Sequence, residues 1–108
     1  MKLWFAAAAI AAFTLSGCMM AAPLEYDVQL KQYVRCLDRS ARQIASQPGD
    51  PVSLAYGARG LCASAENELQ QHLLTQTSPD RAMSLMRVFR QAALEGATAD
   101  IVRVRAGR

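Results

Sequence analysis

The chain has 108 residues, 52% hydrophobic and 19% charged, with a formal net charge of +3. That length holds one domain, and that balance excludes a chain disordered over most of its length. The apolar excess is concentrated early: Trp4, Phe5 and Phe13 all fall within positions 3–15.

The first predicted element is an export signal. Met1 and Lys2 give a positive start, and LWFAAAAIAAFTL follows as an uncharged run of 13 residues. As a helix it would reach ~20 Å, short of the ~30 Å of a hydrocarbon core. A secretory signal fits this pattern better than a membrane span. Leu15-Ser16-Gly17-Cys18 comes directly after. This tetrad resembles the lipobox of bacterial lipoprotein precursors. The resemblance implies lipidation of the Cys18 sulfur, removal of residues 1–17 and a mature chain of 91 residues (108 − 17). An ordinary signal cut after Ala21 or Ala22 would place Met19 or Met20 at −3, a poor site. Each buried acyl methylene contributes ~0.8 kcal/mol, so the two or three chains of such an anchor hold firmly. Met19, not Asp, follows the cysteine. In Gram-negative members of the family that favours the outer membrane, inner leaflet, facing the periplasm. Residues 18–23 form a short tether; Met19 to Pro23 spans at most ~18 Å.

A helical domain is predicted over 24–96. In the first helix, 24–47, Leu24, Tyr26, Leu30, Tyr33, Leu37, Ala41 and Ile44 share one face. Lys31, Arg35, Arg39 and Arg42 lie opposite. Gln47-Pro48-Gly49-Asp50-Pro51 breaks the pattern, with Asp50 as a cap and Pro51 in the next first turn. A second helix over 51–75 carries a stripe of Leu54, Ala58, Leu61, Cys62, Ala65, Leu69 and Leu73. The short connection implies antiparallel neighbours. Cys36 lies 13 residues before Gly49 and Cys62 lies 13 after it, so both fall at one height of the hairpin. Ser40, Ala41, Ala45, Ala55, Ala58 and Ala65 permit close approach. With Cys18 lipidated, a Cys36–Cys62 disulfide is expected in an oxidising compartment.

Ser78-Pro79-Asp80 starts a third helix, whose stripe is Ala82, Leu85, Met86, Phe89, Ala92 and Ala93. Phe89 is its expected anchor, and Gly96 its expected stop. The predicted fold is therefore all-α: a helical hairpin plus a third helix, stapled by one disulfide. Residues 97–108 are set apart as a basic tail. There Ile101, Val102 and Val104 suit either a short helix or an extended strip.

Few residues propose chemistry. There is no Cys-x-x-Cys, and the single His72 does not complete a common zinc site with the cysteines. His72 near a helix end reads as a charge–dipole placement. Glu66 and Glu68 are two apart and point to different faces, unlike a glycosidase pair. Gly57 and Gly60 do not form a phosphate loop; close packing or a bend explains them, with a partner's close approach as the alternative. No catalytic residue, metal ligand or cofactor is predicted, apart from the lipid on Cys18.

Charge is uneven. From position 79 onward Arg81, Arg87, Arg90, Arg103, Arg105 and Arg108 face three acids, net +3. Between 18 and 78 there are five bases and six acids, net −1. The arginines suit a solvated face or an anionic envelope component. Nucleic acid is not an expected partner of an exported protein. The function expected is a non-enzymatic accessory subunit of the envelope with a membrane-proximal protein partner. It would resemble pilotins in architecture, or a lipoprotein subunit of a secretion or conjugation channel. The alternative is a binding module for anionic lipid, lipopolysaccharide or cell-wall polymer.

Overall fold

The computed structural model describes residues 24–107; the expected signal, Cys18, the expected tether and Arg108 lie outside them. Four helices follow in order: α1 Asp27–Ile44, α2 Pro51–Leu61, α3 Ala63–Gln76 and α4 Pro79–Ala106. The described residues contain no strand.

The turn after α1 is set by Gly49, whose φ of +133° is open to glycine and not to L side chains. Asp50 then caps α2, its carboxylate accepting from Ser53 N at 3.0 Å, and Pro51 occupies the first turn. Tyr33 meets Glu66, Cys36 meets Cys62, and Ile44 approaches Gly57. These pairs converge on the turn, so α2 and α3 run back antiparallel along α1. The Cys36–Cys62 disulfide bridges Cα atoms 5.8 Å apart.

The expected single helix over 51–75 is two helices, interrupted at Cys62 (φ −105°, ψ +19°). Its N–H bonds back to Arg59 O at 3.0 Å, tightening the last turn of α2, and its carbonyl accepts from Glu66 N to open α3. Gly57 and Gly60 leave that last stretch poor in helix propensity. Leu61, placed on the buried stripe by periodicity, is 65% exposed. The buried row Leu54, Ala58, Cys62 steps by four, which leaves Leu61 about 100° off it.

The two glycines have different grounds. A Cβ on Gly57 would sit 3.1 Å from Ile44 Cδ1, so this glycine serves close packing; at Gly60 a Cβ would meet nothing within 4 Å. Gly60→Ala is therefore expected to raise stability by about 0.5–1 kcal/mol in urea unfolding. Gly57→Ala is expected to gain less, or to lose stability. Equal gains at both positions would contradict the packing role.

Gly96 does not stop α4, which runs on to Ala106. Residues 97–106 are thus the end of a long helix, not a tail. Burial decides this. Ile101 is fully buried and Ala97 nearly so, against Ala41, Ala45, Leu54, Ala55 and Ala58. Burying an isoleucine contributes ~1.5–3 kcal/mol, more than the ~1 kcal/mol that a helical glycine costs. A second cluster, of Tyr33, Leu37, Cys62, Leu69, Leu73, Ala82 and Met86, fills the other half of the fold. Met86 is the buried anchor of α4 there, in place of Phe89, which is half-buried and tilted on Tyr26 with ring centroids 5.4 Å apart.

Candidate functional site

The first feature with chemical character is a polar knot around Glu66. Its Oε1 accepts from Tyr33 Oη at 2.7 Å and from Arg59 Nε at 2.9 Å. Its Oε2 lies 3.4 Å from Arg90 Nε, a buried N–H outside hydrogen-bonding geometry. Arg90 Nη2 also donates to Gln70 Oε1 at 2.8 Å. Burial pushes the Glu66 carboxyl up, but the hydrogen bonds from Arg59 and Tyr33 outweigh it and hold the group below its usual value. Burial, and then Glu66, push the Tyr33 phenol well up. Both shifts move the groups away from neutrality, opposite to the tuning of a general acid or base at pH 7. The knot joins α1, α2, α3 and α4 and reads as a clamp. In the sequence Tyr33 stood only on a buried helix face and Arg90 only in a basic end, and Arg59 carried no signal. Only the antiparallel register brings them to one carboxylate.

His72 is also used structurally. With Gln76 it holds the backbone of Glu25: Gln76 Oε1 accepts from Glu25 N at 2.6 Å, and the His72 and Gln76 side chains donate to the Glu25 carbonyl. Tyr26, the N-cap of α1, offers no side-chain bond, so the end of α3 supplies the restraint instead.

The C-terminal arginines are not gathered into one patch. Arg90 belongs to the Glu66 knot, and Arg103 pairs with Asp100 at 3.1 Å. Arg105 donates to the carbonyls of Ala45 at 3.0 Å and Gln47 at 2.8 Å, closing the end of α1. Arg81 and Arg87 are exposed near the start of α4, and Arg108 lies outside the described residues. Arg105→Ala is expected to cost about 1–2 kcal/mol and to speed amide exchange in the last turns of α4. Unchanged exchange there would show that the two bonds do not hold the helix end.

The second feature is a groove of about 440 Å³ between α1 and α4. Leu30, Val34, Phe89, Ala92, Ala93 and Gly96 give it an apolar wall. α1 and α4 run parallel there: Tyr26 meets Phe89, Asp38 meets Asp100 and Arg105 reaches Ala45, each α4 residue 60 to 63 positions later (89 − 26, 100 − 38, 105 − 45). Val34 is 53% exposed, and a Cβ on Gly96 would meet nothing within 4 Å, so the groove is open at its middle. A larger depression of about 790 Å³ between α1 and α3 is walled by polar side chains, among them Gln32, Asn67, Gln71 and His72. It is the shallower and more open of the two and exposes less apolar surface, so the α1–α4 groove is the better candidate site.

Among the described residues no three His, Cys, Asp or Glu side chains gather as for a metal, and no helix is long and apolar enough to cross a membrane. No family model, no curated protein and no solved structure matches the chain.

Proposed function

We propose that this protein is a lipid-anchored accessory subunit of the bacterial envelope, non-enzymatic, that docks an apolar helix of a membrane-proximal partner in the α1–α4 groove. The observation that carries the reading is the open apolar wall of Leu30, Val34, Phe89 and Ala93 on two parallel helices. Helix-in-groove recognition uses such a surface. The signal and Cys18 supply the address. Because the tether enters at the start of α1, the Leu30 end of the groove lies closest to the membrane.

The reading has two tests. Growth with labelled palmitate is expected to label the wild type and not Cys18→Ser; an unlabelled wild type defeats the anchor. A photoreactive residue in place of Val34, used in intact cells, is expected to capture one recurrent protein, and Gly96→Trp is expected to abolish the capture. A Cβ at Gly96 meets nothing within 4 Å, so a side chain there starts in open space on the groove lining and is expected to fill the groove. Loss of fold in Gly96→Trp would show instead that the groove is not open. The alternative reading, an anionic envelope component held by arginines, is less supported, because Arg90, Arg103 and Arg105 already have partners within the protein. Adducts at Val34 to lipid or glycan alone would move the conclusion to it.

A further inference from the structure

The outward face of α1 is a basic stripe. Lys31, Arg35, Arg39 and Arg42 fall within about 80° of the helix circumference, opposite the buried Tyr33, Leu37 and Ala41. All four are exposed. Arg42 lies 3.3 Å from Asp38, and among the described residues Lys31, Arg35 and Arg39 have no acid within ion-pair distance. The two acids of α1, Asp27 and Asp38, stand on its groove flank, outside that sector. Val28, 63% exposed, falls within it. No such row exists on α4, where Arg81 and Arg87 are six positions and about 120° apart and Arg103 pairs with Asp100. Like charges four apart on a helix repel, so the row of Lys31, Arg35 and Arg39 is relieved by an anionic surface laid against it.

The anchor says which surface. The expected tether ends directly before α1, and His72 and Gln76 hold the Glu25 backbone at that point. With a tether of at most ~18 Å, the stripe begins beside the membrane. We infer that Lys31, Arg35 and Arg39 lay α1 along the membrane that carries the lipid anchor, on the phosphates of its anionic phospholipids. Bases close to such a surface each add attraction, and an acyl anchor with a basic patch holds better than either alone. The contact leaves the groove free. Val34 is one position from Arg35, about 100° round the helix, so the groove opens sideways over the surface and a partner helix fits there at the same time.

This inference rests on the anchor reading above, and the test separates the two. Val28 is replaced by a photoreactive residue in the full-length chain, which is produced in cells with labelled palmitate, purified and reconstituted into vesicles. With phosphatidylglycerol in the vesicles, a phospholipid adduct is expected at position 28. Its yield is expected to fall at least about fivefold in vesicles of phosphatidylcholine alone and in Lys31→Gln/Arg35→Gln/Arg39→Gln. It is expected to fall also as salt rises from about 0.05 to 0.5 M, and to persist in Arg35→Lys/Arg39→Lys. The substituted side chains are exposed, so the variants are expected to fold; melting temperatures check this, and the lipid and salt comparisons keep the basic row intact. Equal yields in neutral and anionic vesicles, or in the glutamine variant and its parent, would overturn the inference. A recurrent protein adduct at position 28 in intact cells would also overturn it. A palmitate-labelled chain with no lipid adduct there would remove the membrane contact and leave the anchor standing. An unlabelled chain would remove both.

Discussion

Replacing Cys36 and Cys62 together by alanine is expected to lower the unfolding free energy by about 3.5 kcal/mol, from the loop-closure entropy of a 26-residue separation. The measurement is urea unfolding of the wild type, with and without reductant, beside the double variant. The bond joins α1 to the one-residue break between α2 and α3. Both sulfurs belong to or pack on the larger core cluster, and the Ser40 hydroxyl lies 3.4 Å from Cys62 Sγ. The loss is a large share of the ~5–15 kcal/mol typical of a small domain. Reduction should therefore bring the protein near the edge of folding at physiological temperature. Reduced wild type and double variant should unfold at the same midpoint. A shift under about 1 kcal/mol would mean that the unfolded chain is already compact, or that helix packing alone holds the hairpin.

This bond is legible in the sequence, and the reason is physical. A helical hairpin about Gly49 fixes which residues share a height; equal distances from the turn, small facing residues and the assignment of Cys18 to a lipid together paired Cys36 with Cys62. The caps at Asp50 and Ser78 were legible too, because capping chemistry is local. What was not legible depended on competition between distant terms. Gly96 looked like a stop because glycine weakens a helix, but Ile101 had a bed of alanines to bury against. The break at Cys62 arose where two weak turns met a covalent restraint. The groove was legible in part: Leu30, Phe89 and Ala93 were assigned to buried stripes, and the structure leaves their outer edge uncovered. Asp38 and Asp100 gave no local signal, since only the parallel register of α1 and α4 makes them face each other.

Glu66→Ala is expected to cost roughly 3 kcal/mol, the larger part from what it leaves behind. The carboxylate is 12% exposed, and Arg59 and Arg90 beside it are 30% and 27% exposed. Removing it strands two half-buried guanidinium groups and the Tyr33 phenol, which is itself almost fully buried. Tyr33→Phe removes one donor, leaves both cations paired and should cost about 1–2 kcal/mol. The pH profile carries the sharper test. Glu66 titrates below its usual 4.5 in the folded chain, so its contribution is complete above that value and fades as pH falls through the folded one. Tyr33 titrates above its usual 10.0 in the folded chain, so its contribution is complete below pH 10 and fades as pH rises through the higher value. Wild-type stability should therefore bend downward at both ends. Asp100 works against the acid limb, because its raised carboxyl stabilises the folded state as pH falls. In Glu66→Ala the acid limb should flatten, and in Tyr33→Phe the alkaline limb should flatten while the acid limb persists. Urea midpoints from pH 3 to pH 11 for the three proteins decide the matter. Acid limbs that run parallel in wild type and Glu66→Ala would show that the four-helix clamp is not the group that titrates, and would direct attention to the Asp50 cap, whose carboxyl is also held low by its bonds to Ser53.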